Sequence, residues 1–194
     1  MRRSSSRKPS IFQELLEKLA LALESAGIPY MVIGGQAVLL YGEPRLTRGV
    51  DVSLGADAER IREVLDLVLR LGWRVLVEEP GDFVRRTMVL PCDDPQSGVR
   101  VDLTFSFNPY ERQALERVKM VAMGKAIVRF TSVEDLIIHK IIAGRPRDLE
   151  DIKGVLLKNR GLDEVYIRNW LRECQDSLSE PLLQRFDAAR TETF

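Results

Sequence analysis

The chain opens with apolar residues at helical spacing. Ser10 and Gln13 have the spacing of a capping box, in which each side chain bonds the backbone of the other. From Ile11 onward, apolar residues recur every three or four positions until Gly27. This pattern predicts an amphipathic helix that ends near the glycine.

The next stretch changes from helical spacing to short apolar runs. The run at 28–33 predicts a strand that breaks at Gly34-Gly35, and residues 36–41 predict a helix. After a loop, the alternating residues at 50–54 predict a second strand. The stretch therefore predicts a strand, a glycine turn, a helix and a second strand.

The middle of the chain alternates strand patterns with turn residues. Asp57 is expected to cap a helix that ends at Gly72. The predicted strands cover 74–77, 83–90, 99–105 and 126–130, and a short helix covers 109–118. Turn-rich loops such as 92–98 separate them.

From Ser132 the pattern is helical almost to the end, with breaks at 144–146 and at Gly161. Strands and helices followed by a helical last third predict an α/β (α+β) fold with a small mixed β-sheet flanked by helices. We expect a disordered basic tail at 1–9, a domain at 10–157 and a C-terminal helical extension at 158–194.

Composition excludes several classes of protein. Lys+Arg and Asp+Glu are equal at 29 each, so the overall charge gives no reason to expect nucleic-acid binding. The apolar runs are too short to span a membrane. Cys92 and Cys174 are far apart, which suits free thiols in a reducing cytosol, and His139 is the only histidine, so no zinc site is expected. These features predict a cytoplasmic protein.

Two aspartates have the sequence context of a metal site. Asp51 and Asp102 each lie in a predicted strand between apolar residues. If the two strands are adjacent and the side chains face the same way, their oxygens can share one Mg²⁺. The alternative is that each aspartate points to solvent from the polar face of its strand.

The residues around Asp51 are suited to phosphate. A strand that breaks at Gly34-Gly35 leaves backbone N–H groups free at a helix start, where phosphate binds, although close strand–helix packing also favours glycine there. Thr47 and the arginines Arg45 and Arg48 precede Asp51, and a hydroxyl and a guanidinium can bond a triphosphate. A turn cap and surface charge are the alternative.

Taken together, these motifs resemble a known family. Gly34-Gly35, then Tyr41-Gly42-Glu43-Pro44-Arg45-x-Thr47-x-x-x-Asp51, is similar to the minimal nucleotidyltransferases of the polymerase-β superfamily, especially the bacterial group related to AbiEii toxins and MNT-type domains. The resemblance covers about residues 28–157. It implies that the domain at 10–157 is nucleotidyltransferase-like, with Asp51 and Asp102 as catalytic metal ligands.

The sequence departs from the family at one of the paired carboxylates. Aligned on Pro44-Arg45-x-Thr47, the family's D-x-D falls on Gly49 and Asp51. An alignment shifted by two residues places it on Asp51 and Ser53. We prefer the first. In either alignment one carboxylate is absent, which implies one well-held metal ion and slow or altered chemistry.

A later segment resembles the helices that follow the sheet in the same family. Lys140 and Arg145 are expected there at the nucleotide phosphates. Asp151 lies three residues after Asp148 and on the same side of a helix. For Asp148 we favour a structural role as the helix N-cap after Pro146.

The resemblance implies Mg²⁺-dependent transfer of a nucleoside monophosphate from an NTP to an acceptor hydroxyl, with release of pyrophosphate. The acceptor, a tRNA end, a protein side chain or a small molecule, is left open. The alternative is an inactive module on the same fold that binds a nucleotide or a partner protein. Proteins of this resemblance often belong to toxin–antitoxin pairs.

Overall fold

A computed structural model describes residues 10–106 and 108–193, so the predicted tail at 1–9 lies outside the described residues. Strands form one sheet in the order β3-β4-β5-β2-β1-β7-β6. They are β1 (Tyr30–Ile33), β2 (Gly49–Gly55), β3 (Arg74–Val75), β4 (Val89–Asp94), β5 (Val99–Ser106), β6 (Lys119–Met123) and β7 (Ala126–Phe130). β2 runs parallel to β5 and β1 to β7, and the other pairs are antiparallel. The predicted mixed sheet is confirmed.

Helices cover both faces of this sheet. They are α1 (Ile11–Ser25), α2 (Gly34–Tyr41), α3 (Ile61–Arg70), α4 (Pro80–Thr87), α5 (Pro109–Glu116), α6 (Val133–Ala143), α7 (Pro146–Lys158), α8 (Glu164–Leu178) and α9 (Leu182–Thr191). Among the described residues, no helix is both long enough and apolar enough to cross a membrane.

A capping box and a buried apolar stripe stabilise α1. The hydroxyl of Ser10 accepts a hydrogen bond from the Gln13 backbone at 3.2 Å, and the Gln13 side chain accepts one from the Ser10 backbone at 2.9 Å. Leu16, Leu19 and Leu23 are buried, so the apolar stripe of α1 packs into the core. The predicted capping box is confirmed.

The centre of the sheet separates the core from the polar residues of β2. Val50, Val52 and Leu54 are fully buried on one face. Because side chains alternate along a strand, Gly49 and Asp51 lie on the opposite face. This alternation brings the polar residues of β2 under α2 and the C-terminal helices.

One strand predicted for the middle of the chain is wrong, and one strand there was not predicted. Residues 83–90 form no single strand, because α4 runs to Thr87 and β4 begins only at Val89. Pro80 at the first helical turn and two arginines in the last turn favour the helix. The edge strand β6 was also missed, since its side chains are mostly exposed and show little apolar pattern.

The C-terminal helices are packed against α6. Ser132 caps α6 by accepting a hydrogen bond from the Asp135 backbone, and the buried Asp135 carboxylate accepts the hydroxyl of Tyr166 on α8 at 2.8 Å. Leu171 and Phe186, on α8 and α9, are fully buried. These contacts fix α6 and α7 over the polar face of β2.

Candidate functional site

The glycine turn packs directly against Asp51. β1 ends at Ile33, which lies opposite Asp51 in the antiparallel pair of β1 and β2. The backbone N–H of Gly35 donates a hydrogen bond to the Asp51 carboxylate. Gly34 has φ +62°, and a Cβ atom on it would overlap that carboxylate. Both the backbone conformation and the close carboxylate therefore require glycine at position 34.

The two aspartates singled out from the sequence are neighbours. Asp51 and Asp102 lie opposite each other in the parallel pair of β2 and β5, so their side chains share one face of the sheet. Burial raises the pKa of Asp51 and the negative charge of Asp102 raises it further, while Gly35, Arg145 and Lys140 offset only part of this increase. The part of this increase that comes from Asp102 reflects two neighbouring negative charges, whose repulsion a bound cation would relieve.

An arginine on β5 already pairs with one of these aspartates. Arg100 Nε lies 3.0 and 3.1 Å from the two carboxylate oxygens of Asp102. Arg100 itself lies opposite Gly49 in the β2–β5 register. The charge of Asp102 is thus balanced from within its own strand.

The loop before β2 is held against α2 through a glycine and a glutamine. The amide of Gln36 donates a hydrogen bond to the Thr47 hydroxyl oxygen at 2.9 Å. A Cβ atom on Gly35 would lie 2.7 Å from the Thr47 methyl group, so a larger residue would push the loop away. Because its oxygen accepts from Gln36, the Thr47 hydroxyl keeps its proton for a ligand oxygen.

A buried ion network supports the other side of the site. Lys140 Nζ lies 2.6 Å from Asp148 Oδ1 and 2.8 Å from Asp151 Oδ2. Arg145 Nε contacts Asp148 at 2.7 Å, and Arg45 Nε contacts Asp151 at 2.8 Å. All three residues at the centre of the network, the lysine and both aspartates, have side chains only 6% exposed. The network fixes the start of α7 to α6 and to the loop before β2.

The predicted N-cap role of Asp148 is wrong. Arg145 occupies the N-cap position of α7 without a side-chain cap bond, and Pro146 is the first helical residue. Asp148 lies in the first turn and faces inward, because two cations are available to pair with it there. The residue type expected at a cap is used instead for a buried ion pair.

These residues line one open cavity of about 740 Å³. Its lining comprises Gly34, Gly35, Arg45, Leu46, Thr47, Arg48, Gly49, Asp51, Lys140, Arg145, Arg147 and Asp148. Five of these side chains are basic and two are acidic, an excess of three positive charges. All six residues predicted to bind nucleotide are among them, and Asp102 lies on the neighbouring strand, beyond the lining. The cavity has the charge that suits a polyphosphate.

The two aspartates fit a single magnesium ion whose other ligands are phosphate oxygens and water. Among the described residues, no group of three or more His, Cys, Asp or Glu side chains is placed to hold a metal. Mg²⁺, however, is often held by only one or two carboxylates, with phosphate oxygens and water completing its shell. Asp51 and Asp102 can provide those carboxylates. Ser53, the position expected from the shifted alignment, is buried and donates its hydroxyl to Glu111 at 2.9 Å.

A second, more apolar cavity of about 540 Å³ lies between α5, α6 and α8. Tyr110, Trp170 and Ile142 form part of its wall, and Glu111 accepts a bond from His139 at 3.2 Å. None of the residues that line it is a lysine or an arginine. It is therefore poorly suited to a triphosphate.

Three residues of the site were not singled out from the sequence. They are Gln36, which orients Thr47, Arg147, which lines the cavity, and Arg100, which pairs with Asp102. Arg100 had a detectable signal, because a residue two positions before Asp102 on a strand shares its face. The other two depend on how the loop before β2 folds back, which no local pattern indicates.

We expect Gly34→Ala to displace the Asp51 carboxylate and to weaken nucleotide binding at least tenfold, a loss of about 1.4 kcal/mol. Gly98→Ala is the matched control, since Gly98 has φ +69° but no atom within 4 Å of a Cβ placed on it. Both variants carry the left-handed backbone penalty of about 1–2 kcal/mol, and only the first meets a carboxylate. Calorimetric titration with a non-hydrolysable NTP compares them. Equal binding by the two variants would contradict the expectation.

Comparison with solved structures finds the same fold in nucleotidyltransferases. The solution structure of the antibiotic-resistance factor ANT(2'')-Ia is 17% identical, with a TM-score of 0.58 over 87% of this chain and 95% of that one. A nucleotidyltransferase-like antigen of Paracoccidioides brasiliensis is 17% identical, with a TM-score of 0.53 over 88% and 91%. The lincosamide adenylyltransferase LnuA, bound to lincomycin, is 14% identical, with a TM-score of 0.52 over 77% and 98%. At these identities the likeness shows the fold alone.

No curated protein matches this sequence. One family profile does match, and it spans residues 10–180, which is most of the chain. The resemblance to nucleotidyltransferases stated from the motifs around Asp51 is thereby confirmed. The chain belongs to the family described as nucleotidyltransferase of unknown function (DUF6036).

Proposed function

We propose that this protein transfers a nucleoside monophosphate from a Mg²⁺-bound NTP to an acceptor hydroxyl. The observation that carries the proposal is the in-register pair of Asp51 and Asp102 beside a basic cavity and a glycine turn. The cavity provides cationic groups for a triphosphate, Asp51 lines it, and Asp102 lies on the neighbouring strand. Family membership supports nucleotidyl transfer in general.

In the proposed reaction, the acceptor oxygen forms a bond to the α-phosphorus. The bond from that phosphorus to the oxygen bridging the α- and β-phosphates breaks, and pyrophosphate leaves with its electron pair. The hydroxyl proton passes to the carboxylate pair of Asp51 and Asp102. Bound Mg²⁺, held by the same two residues, would neutralise charge that develops on the phosphate oxygens.

The remaining residues of the cavity bind and orient the triphosphate. Arg48 and Arg145 offer guanidinium groups, which match the geometry of phosphate oxygens. The Thr47 hydroxyl, whose oxygen is occupied by Gln36, donates its proton to a phosphate. Gly34 and Gly35 allow the Asp51 carboxylate and Thr47 to lie against the start of α2, where both glycines line the cavity proposed for the nucleotide.

Lys140 has a less direct role in this proposal. Its ammonium lies between Asp148 and Asp151, which balance its charge, so its main role is to hold α7 in place beside the cavity. The expectation that Lys140 contacts phosphate stays a prediction.

The acceptor is proposed by class only. A structure of ANT(2'')-Ia holds adenylyl-2''-tobramycin and that of LnuA holds lincomycin, so two proteins of this fold bind antibiotic molecules. A small molecule is therefore a candidate acceptor beside the tRNA end and the protein side chain. The experiment below includes all three.

The test combines binding with transfer. Calorimetry measures the dissociation constant of a non-hydrolysable NTP with and without Mg²⁺, and NMR follows the amides of Gly34 and Gly35. NTP labelled at the α-phosphate is then incubated with cell extract, which is separated into RNA, protein and small molecules. We expect Mg²⁺-dependent binding, shifted glycine amides and label in one fraction. The absence of both heat and amide shifts would refute the proposal.

A second candidate function is nucleotide binding without transfer. Gly49 and the pairing of Asp102 with Arg100 favour it, because both reduce the negative charge available to a metal. This candidate predicts the same binding and amide shifts but no label in any fraction. The two functions therefore differ in one measurement.

A further inference from the structure

We propose that Arg100 is a built-in cation of the site and takes the place of one of the two metal ions used in polymerase-β-type nucleotidyl transfer. The inference rests on the proposed function, because it concerns the same nucleotide site. Two observations carry it, the register of Arg100 with Gly49 and the contact of Arg100 with Asp102.

The register puts four positions on one face of the sheet. Gly49 pairs with Arg100 and Asp51 pairs with Asp102 along the parallel strands β2 and β5. A Cβ atom on Gly49 would lie 3.7 Å from the Cβ of Arg100. Gly49, which has no side chain, therefore lies beside Arg100, and this pair is next to the pair of Asp51 and Asp102 on the same face of the sheet.

Arg100 pairs with Asp102 through only part of its guanidinium group. Its Nε atom donates to both oxygens of Asp102, at 3.0 and 3.1 Å. A guanidinium keeps its charge at every physiological pH and does not dissociate from the chain as a metal ion does. In the described part of the chain, no hydrogen bond uses the two terminal NH₂ groups of Arg100, and its side chain is 59% exposed. Those groups are free to bond a phosphate.

Charge counting distinguishes this site from a two-metal site. Asp51 and Asp102 carry two negative charges, and Arg100 reduces their sum to one. A third carboxylate at position 49, with no arginine, would give three. Two divalent ions need several shared anionic ligands, whereas a net charge of minus one suits a single Mg²⁺ that arrives with the nucleotide.

The same geometry shows why an aspartate at position 49 would not restore a two-metal site. A Cβ atom there would lie 2.9 Å from the backbone oxygen of Arg100, which is closer than Cβ atoms approach backbone. The strands β2 and β5 would have to separate, which would disturb the pair of Asp51 and Asp102. The close approach of Arg100 therefore requires glycine at position 49.

The test measures metal and nucleotide binding directly, without turnover. A non-hydrolysable NTP is titrated in EDTA and in Mg²⁺, and bound Mn²⁺ is counted by electron paramagnetic resonance with the nucleotide present. The variants are Arg100→Gln, which removes the charge, and Arg100→Lys, which keeps it. Arg74→Gln is the matched control, since Arg74 is also an exposed arginine paired with an aspartate, Asp93, but at the β3–β4 edge of the sheet. Thermal melting checks that each variant is folded.

We expect the parent to bind one Mn²⁺ and to bind nucleotide in EDTA. Arg100→Gln should weaken nucleotide binding in EDTA about tenfold, because one charged hydrogen-bond partner is lost. The same variant should bind Mn²⁺ more tightly, because Asp102 is no longer paired with an arginine. Arg100→Lys should keep most of the metal-free binding, and Arg74→Gln all of it. Two Mn²⁺ ions in the parent, or unchanged binding in EDTA by Arg100→Gln, would overturn the inference and leave the proposed function intact. No nucleotide binding by the parent under any condition would overturn both.

Discussion

Replacement of Lys140 by methionine is expected to lower the free energy of unfolding by about 3 kcal/mol. Methionine has a similar length but leaves Asp148 and Asp151 buried without the ammonium that lies between them. Removing one partner of a buried ion pair costs about 3–5 kcal/mol, and the low end applies because Arg145 and Arg45 remain. In a domain of this size the melting temperature should fall by roughly 6–12 °C.

Lys153→Met is the control for this change. Lys153 lies on α7 and pairs with Glu192, but its side chain is 40% exposed, so its loss should cost well under about 1 kcal/mol. Denaturant unfolding of both variants measures the difference. Equal destabilisation by the two substitutions would show that the buried network is not what holds α7.

The cost of Lys140→Met should also depend on pH. Burial alone would raise the pKa of Asp148, but hydrogen bonds from Lys140 and Arg145 outweigh it and hold this pKa below its ordinary value. A lowered pKa contributes stability above the unfolded-state pKa, and this contribution is lost as the pH falls through the folded-state pKa. The difference between parent and variant should therefore be largest near neutral pH and shrink below about pH 4.

Asp51→Asn is expected to slow transfer strongly while making the protein more stable. In the proposed mechanism Asp51 helps to hold Mg²⁺, so its loss should lower the rate on the order of 10²–10³-fold, as for other preorganised electrostatic groups. Burial and the charge of Asp102 raise the pKa of Asp51, so the ionised side chain destabilises the fold at neutral pH. Asparagine removes this charge, and its amide oxygen can still accept the N–H of Gly35.

The stability gain has a defined pH window. A raised carboxyl pKa contributes stability that is fully present below the unfolded-state pKa and lost as the pH rises through the folded-state pKa. The asparagine variant should melt at a higher temperature than the parent at pH 7 and at the same temperature near pH 4. Melting curves across this range, with Asp57→Asn at an exposed cap as the control, test it. A lower melting temperature at pH 7 would show that Asp51 is a stabilising structural residue.

Local patterns in the sequence were enough to predict much of the site. The adjacent strands of Asp51 and Asp102 have the alternation that puts a carboxylate on one face and valine on the other. The turn at Gly34-Gly35 needs a left-handed backbone conformation at Gly34, and glycine in the sequence indicates such a conformation. The glycine turn and the facing of each aspartate depend on short-range geometry, whereas the adjacency of their two strands was expected only from the family resemblance.

The parts that were missed depend on contacts with a neighbouring element or on helix signals outside the segment itself. Asp148 has the residue type and the position of a helix cap, and only the approach of Lys140 from α6 makes it an ion-pair partner. The segment at 83–90 alternates like a strand, yet Pro80 begins a helix and Met88 ends it in the left-handed region at φ 59°. The edge strand β6 forms because it pairs with β7, a contact that its own exposed residues do not indicate.

The parallel pairing of β2 with β5 also has a consequence for how the protein is made. Asp51 and Asp102 lie on paired strands that are separated in the sequence by fifty residues, which include α3, α4, β3 and β4. Pairings this distant in sequence are among the slow steps of folding, because closing the long loop between the strands costs chain entropy before their contacts can offset it. On the ribosome, β2 emerges well before its partner and has only β1 to pair with until residue 106 has left the exit tunnel. The nascent chain thus passes through a long interval in which it holds the glycine turn and Asp51 but lacks Asp102 and the residues of α6 and α7 that complete the candidate site.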